Sequence, residues 1–125
     1  MRAALLLTTV GAKSGQPHTT PLAYYPADGE RLIVIAAYEG APRHPAWYHN
    51  LVASPAVTVE LGREHLAMRA LVTEGAERER LFNQCAAEGP WLVKYQAMTT
   101  RQLPVVVLDA AAETPDAPRA TCQPE

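Results

Sequence analysis

Residues 11–22 contain the clearest candidate for chemistry in the sequence, the run Gly-Ala-Lys-Ser-Gly-Gln-Pro-His-Thr-Thr-Pro-Leu. Two glycines permit a tight backbone path, and no carboxylate occurs before Asp28. The polar side chains are a cation, an imidazole and three hydroxyls: Lys13, His18, Ser14, Thr19 and Thr20. With the successive backbone N–H groups they suit an anion, and phosphate is the expected ligand. An ordinary hairpin loop with a solvated lysine is the alternative, because Gly-rich turns are common.

A second polar segment, residues 43–50, is expected to converge with this loop. Its Arg43 and His44 would join Lys13 and His18 in a locally positive groove. Aromatic surface would come from four nearby residues: Trp47, Tyr38, Tyr24 and Tyr25. A positive patch beside flat aromatic walls suits a phosphorylated, planar ring cofactor. The alternative is that these aromatic residues simply pack in the core.

No standard catalytic motif accompanies the two segments. A Walker A loop requires Gly-x4-Gly-Lys-Ser/Thr, whereas here Lys13 precedes the second glycine. The sequence has no GxGxxG or GxSxG motif, and Ser14 has no evident His–Asp partners. This absence favours chemistry that a bound cofactor carries and the protein positions.

Composition narrows the class of protein. With 125 residues, 48% hydrophobic and 19% charged, the chain is expected to form one globular domain. A net charge of −2 and a pI near 6.1 argue against nucleic acid or an anionic membrane as a partner. No apolar run approaches the ~20 residues that span a bilayer. We therefore predict a cytoplasmic protein without strong membrane association.

The cysteines and histidines show no metal-binding pattern, so no metal site is predicted. Cys85 and Cys122 form no CxxC pair, which favours a reducing compartment. Cys85 falls in a predicted helix and is expected to be a buried, inert thiol. His44 and His49 are five residues apart and are not expected to share a helix face.

The order of predicted elements indicates a barrel. Apolar or alternating runs predict strands at residues 3–9, 18–25, 31–38, 57–61, 65–74 and 102–108, the first three forming a meander. Helices are predicted over residues 45–54, from residue 77 to the Gly89-Pro90 break, and over residues 91–98. Continuous apolar runs at 31–38 and 102–108 predict strands buried on both faces.

This order predicts a mainly β (α+β) fold, an antiparallel barrel, closed or partly open, with helices packed on it. Residues 1–109 would form the cofactor-binding domain. Residues 110–125 lack the apolar side chains needed for order and are predicted to form a disordered tail.

Three segments resemble the signature of the deazaflavin-dependent nitroreductase family: residues 5–22, residues 40–59 and residues 100–108. The resemblance implies a split antiparallel β-barrel of the flavin-reductase/FMN-binding type that binds coenzyme F420. It also implies hydride transfer from the reduced cofactor to a small electrophile, which could be an activated alkene, an enone, a quinone or a nitro compound. The alternatives are an FMN- or haem-binding split barrel and a non-catalytic F420 carrier or inactive paralogue. A monomer or a homodimer is expected.

The resemblance also implies which residues form the site. Those expected to hold or flank the cofactor phosphate are Ala12, Lys13, Ser14, Gly15, His18 and Thr19. Those expected to lie along the cofactor and its ring are Thr20, Pro21, Ala36, Ala37, Tyr38, Ala46, Trp47 and Asn50. The candidate proton donors are Tyr38 and Tyr95.

The sequence departs from the family pattern in the loop and in the region of residues 89–95, among other positions. Ala12 and His18 stand where the family usually carries Arg, so Lys13 is the only permanent cation of the loop. In the tyrosine-rich region of the prototype, residues 89–95, only Tyr95 is present here. A substrate pocket different from that of the prototype is therefore predicted.

Overall fold

The computed structural model of the protein describes residues 4–27 and 31–110. The predicted tail beyond Ala110 and part of the predicted turn at residues 26–29 lie outside the described residues.

The described chain forms one antiparallel sheet and three helices. The strands are β1 (Ala4–Val10), β2 (Pro17–Ala23), β3 (Tyr25–Pro26), β4 (Leu32–Ile35), β5 (Ala56–Leu61), β6 (Glu64–Val72) and β7 (Val105–Ala110). The helices are α1 (Ala46–Ala53), α2 (Gly75–Glu88) and α3 (Trp91–Ala97), and a short 3₁₀ turn covers Tyr38–Gly40. No helix in this part of the chain is long and apolar enough to cross a bilayer.

The sheet curls into a half-barrel because of how its two ends are connected. The strand order is β2-β1-β5-β6-β7-β4-β3. Strands β2 and β3 therefore lie at opposite ends of the sheet, yet only Tyr24 separates them in the chain. The sheet must bend until its ends meet at this residue, since one residue spans less than 4 Å. The predicted antiparallel barrel with packed helices is confirmed.

Two apolar clusters cover the two faces of the inner strands. Val34 of β4 pairs with Val106 of β7, and both belong to a cluster that includes Trp47 and Leu51 of α1. Ile33 is buried in the second cluster, which packs the other face against helices α2 and α3. Burial on both faces explains the continuous apolar runs, as predicted from the sequence.

Two predicted strands are altered by local backbone geometry. The predicted strand 18–25 divides at Tyr24, and its two parts pair with different neighbours, β1 and β4. The predicted strand 31–38 ends at Ile35, because Ala37 N–H donates back to Ile35 O at 2.9 Å and Tyr38 then continues the turn with a φ of 46°. This strand is also not central, since only β3 lies beyond it in the sheet. The last strand begins at Val105, after Pro104, which has no N–H to donate to a ladder.

Candidate functional site

The loop between β1 and β2 is a tight turn closed by its own backbone. Gly11 N–H donates to Gln16 O at 2.8 Å, and Gly15 N–H donates to Gly11 O at 2.9 Å. Gly15 has a φ of +72°, a left-handed conformation that glycine adopts without a Cβ clash. Gln16 N–H donates to Ser14 Oγ at 3.1 Å. The loop therefore holds one shape through its own hydrogen bonds.

Asn50 joins this loop to helix α1. Its Oδ1 accepts the N–H of Ala12 at 2.9 Å, and its Nδ2 donates to Thr9 Oγ1 at 3.2 Å. Asn50 and Thr9 are both buried. Sequence reasoning placed Asn50 on the cofactor, whereas the structure commits both polar atoms of its side chain to the scaffold.

The loop, strand β2 and helix α1 enclose a groove of about 640 Å³. Its lining residues are Gly11, Ala12, Lys13, Ser14, His18, Thr19, Thr20, Ala46, Trp47, His49 and Asn50. The two segments that the sequence predicted to converge thus form the walls of one groove. No carboxylate is among these residues, and the lining carries one lysine and two histidines. The charged groups of the groove favour an anionic ligand.

The backbone donors of the loop are fewer than its sequence suggested. The N–H groups of Gly11, Ala12, Gly15 and Gln16 are engaged in the bonds described above. Within residues 4–27 and 31–110, the N–H groups of Lys13 and Ser14 have no hydrogen-bond acceptor. Two adjacent amides beside the Lys13 ammonium and the Ser14 hydroxyl form a small anion-binding donor set.

The side chains of Ser14 and His18 approach each other over Gly11. A Cβ at Gly11 would lie 2.5 Å from Ser14 Oγ and 3.0 Å from His18 Nε2. The first distance is too short for a real Cβ contact and the second is tighter than most, so the absence of a side chain at Gly11 lets these two polar groups converge. His18 therefore lies at the loop end of the groove, beside the donor set of Lys13 and Ser14.

Other predicted site residues do not line the groove. Gly15 lies in the turn, and Pro21 is exposed on β2 opposite Leu6. Ala36 is fully buried in the interior cluster, and Ala37 packs against the helix-side cluster.

The two candidate proton donors lie on neighbouring elements. Tyr38 is 45% exposed on the 3₁₀ turn, and Tyr95 is half-buried on α3. The turn packs against α3 at Gly40, where a Cβ would lie 3.1 Å from the carbonyl oxygen of Tyr95.

Arg43 is exposed, and neither it nor His44 lines the groove as the sequence suggested; the second histidine there is His49. The His44 and His49 rings are neighbours, with centroids 5.8 Å apart, although their spacing indicated different faces. His44 precedes α1, which frees its ring from helical geometry. The His44 ring also contacts Tyr48 at 4.7 Å.

Sequence reasoning gave Arg101 no role, yet it is the most connected side chain near the site. Its guanidinium donates to the carbonyl oxygens of Ala36, Ala37 and Ala41. A fourth bond joins Arg101 Nη1 to His44 Nδ1 at 3.0 Å. Burial, then the Arg101 charge, then His49 lower the pKa of His44 below its usual value.

A second depression, of about 500 Å³, lies between the β5–β6 turn and the end of β7. Its lining includes Glu64 as well as Arg31 and His65, and none of the predicted site residues. The mixed charges give it no preference for an anion, so the groove beside α1 is the better candidate site.

A curled antiparallel half-barrel with a carboxylate-free groove at its rim defines a cofactor-binding split β-barrel protein. A profile of the F420H(2)-dependent quinone reductase family matches residues 1–110. An F420H(2)-dependent quinone reductase of Mycobacterium tuberculosis is 37% identical over 110 residues, covering 84% of this chain and 72% of that protein.

Two solved structures share the fold at a TM-score of 0.77 and 36% identity. One is an F420-H2 dependent reductase, and the match covers 86% of this chain and 95% of that one. The other is described as a domain-swapped dimer, with 86% and 81% covered. The chain belongs to the F420H(2)-dependent quinone reductase family. It is an F420H2-dependent reductase, and its cofactor is coenzyme F420.

The residues of the groove fit this cofactor. Its phosphate requires cations and N–H or O–H donors, which Lys13, Ser14 and the two free amides supply. Its flat ring requires apolar or aromatic surface, which Trp47 and Ala46 provide on the opposite wall. The absence of carboxylates from the lining avoids repulsion of an anion.

We expect Lys13→Ala to weaken binding of oxidised F420 about tenfold or more, the scale of one lost charge-assisted hydrogen bond. Lys94→Ala, which removes an exposed lysine on α3, is the matched control and should bind like the wild type. Fluorescence titration of the cofactor measures both dissociation constants. Equal constants for the two variants would place the phosphate elsewhere.

The lowered pKa of His44 predicts a pH-dependent stability. The unfolded chain takes up a proton at His44 near pH 6.5, while the folded protein resists protonation. The contribution of His44 to the free energy of unfolding is therefore fully present above about pH 6.5. It is lost as the pH falls toward the lower pKa that His44 has in the folded protein.

Urea unfolding at about pH 7.5 and about pH 5.5 should show this loss of unfolding free energy. His44→Gln should reduce the decline, whereas His65→Gln, at an exposed position on β6, should leave it in place. An identical decline in wild type and His44→Gln would contradict the assignment.

Proposed function

We propose that the groove beside α1 binds coenzyme F420 and that the protein uses the reduced cofactor to reduce a quinone. The observation that carries the proposal is the convergence of Lys13 and two unengaged loop amides with Trp47 across a groove without carboxylates. The quinone is supported by the names of the family and of its Mycobacterium tuberculosis relative, both of which are quinone reductases. Nitro compounds, enones and activated alkenes are the other acceptor classes to be tested.

The loop residues would bind the cofactor phosphate and orient it. The Lys13 ammonium and the N–H groups of Lys13 and Ser14 would hold the phosphate, and His18 would lie beside it. Because Ser14 Oγ already accepts the N–H of Gln16, its hydroxyl hydrogen is free to point toward the anion. The loop can do this without rearranging, since its own hydrogen bonds fix its shape.

Helix α1 would place the cofactor ring. Trp47 belongs to the interior core and also lines the groove, so its indole is fixed by packing. Ala46 presents only a methyl group beside it, which leaves room for a flat ring. A wall fixed by the core lowers the cost of ordering the site on binding.

The cofactor supplies a hydride when bound. Reduction of a quinone to a hydroquinone takes that hydride and one further proton, which would be delivered from a protein hydroxyl or from water. Tyr38 and Tyr95 stay our candidate proton donors, although neither lines the groove. Tyr38 is the better placed of the two for contact with solvent, because it is 45% exposed.

The test is anaerobic turnover of reduced F420 with a soluble quinone, followed by the return of the absorbance of the oxidised cofactor. We expect oxidation that depends on both enzyme and quinone and that slows in Lys13→Ala at limiting cofactor. A nitro compound and an enone, assayed alongside, compare the acceptor classes. Cofactor binding with no turnover of the quinone would overturn the proposed substrate.

We also propose that the protein forms a homodimer. A structural relative at 36% identity is described as a domain-swapped dimer. Within the described residues, β2 pairs only with β1, so its other edge is open to a second strand. Light scattering of the purified protein should give twice the chain mass of 13.6 kDa. A single-chain mass across the concentration range would contradict the proposal.

A further inference from the structure

Arg101 lies between α3 and β7, and its guanidinium reaches the segment that connects β4 to α1. Arg101 Nε donates to Ala41 O at 2.7 Å, Nη2 donates to Ala37 O at 2.8 Å, and Nη1 donates to Ala36 O at 3.0 Å. Three backbone carbonyls, on both sides of the 3₁₀ turn, are therefore held by one side chain.

The segment held in this way is strained. Tyr38 has a φ of 46°, a left-handed conformation that is uncommon for a residue with a side chain. Gly40 follows with a φ of 78°. A strained backbone persists only where its surroundings over-determine it. The Arg101 bonds to the carbonyls that flank Tyr38 supply such a constraint.

The same guanidinium extends to the groove through His44. Arg101 Nη1 also donates to His44 Nδ1 at 3.0 Å. His44 immediately precedes Pro45, the N-cap residue of α1. Its ring contacts Tyr48 and His49, and His49 lines the groove. Arg101 thus contacts the residue that comes directly before the N-cap of the helical wall of the groove.

Arg101 is itself anchored on the side away from the groove. Its carbonyl oxygen accepts from Gln96 Nε2 at 2.7 Å. The Oε1 atom of Gln96 accepts from Leu103 N–H at 2.9 Å and from Arg78 Nη2 at 3.1 Å. Arg78 is buried on α2. Helices α2 and α3 therefore fix the backbone from which the Arg101 side chain extends.

We propose that Arg101 is a positioning residue for the cofactor site, which holds the segment from Ala36 to His44 and thereby sets the helical wall of the groove against the loop. The proposal rests on the proposed function, in which that groove binds F420. Arginine suits the role because its planar fork presents donors in several directions at once. Lysine, a single compact ammonium, could not reach all four acceptors together.

The first test measures cofactor affinity in Arg101→Gln and Arg101→Lys, with Arg63→Gln as the matched control. Arg63 is exposed in the β5–β6 turn. We expect the affinity for oxidised F420 to fall about tenfold or more in Arg101→Gln, to fall less in Arg101→Lys, and to stay unchanged in the control. Circular dichroism at the assay temperature confirms that each variant is folded. A folded Arg101→Gln with wild-type affinity would overturn the proposal.

The second test asks whether added guanidinium ion restores cofactor affinity. A variant that had only lost stability would not show this rescue. In Arg101→Ala, added guanidinium ion at non-denaturing concentration should restore part of the affinity by occupying the vacated position. Sodium chloride at the same ionic strength should not. Equal effects of the two salts would count against a specific guanidinium site.

A third readout needs no cofactor, so it separates the two proposals. In the imidazole NMR spectrum, Arg101→Gln should raise the pKa of His44, since one of the causes that lower it is removed; its other neighbours, His49 and Tyr48, remain. The amide signals of α1 should shift with it. If wild-type protein binds no F420, the proposed function fails, while an unmoved His44 pKa and unmoved α1 amides would refute the role of Arg101 by themselves.

Discussion

The groove depends on one buried side chain. Asn50 accepts the Ala12 amide and donates to Thr9, so strand, loop and helix meet at a single carboxamide. Asn50 lies 38 positions from Ala12 and 41 from Thr9 in the sequence, and no backbone ladder connects the loop with α1. Because Asn50 is buried, loss of either partner would leave one of its polar atoms without water or a protein hydrogen-bond partner. The constraint keeps the loop shape and the helix position from varying independently, which is what a preformed cofactor site requires.

The curled sheet holds in place the elements that Asn50 connects. Strands β2 and β3 belong to one stretch of chain interrupted at Tyr24, so the two ends of the sheet are tied together. Tyr24 packs against the interior cluster, while Tyr25 belongs to the cluster under the helices. The interior cluster includes Trp47, so the packing that stabilises the barrel also fixes one wall of the groove. Fold stability and site geometry are consequently coupled through the same residues.

Much of the fold and of the candidate site could be predicted from the sequence. The features that were not predicted have physical causes. Loop chemistry and the family resemblance brought Lys13, His18 and Trp47 to one groove, because local composition marks each of them. The apolar run through Ile33 marked a strand buried on both faces. The role of Arg101 was not predicted, because three of its acceptors are backbone carbonyls, which no residue type indicates. Its fourth acceptor, His44, is 57 positions away in the sequence. The early end of β4 was not predicted, because no glycine or proline among residues 36–38 indicates the turn that follows it, in which Tyr38 is left-handed.

The position of β7 in the sheet affects the order in which the chain can fold during synthesis. It is the last described strand in the chain, yet it lies between β6 and β4 within the sheet. Until β7 is synthesised, β2-β1-β5-β6 and β4-β3 have no ladder between them, and Arg101, just before β7, cannot yet bond the segment from Ala36 to His44. Such long-range pairing slows folding relative to local contacts. A ribosome-bound chain that stops short of β7 therefore carries every groove residue before the ladder that joins the two parts of the sheet can form.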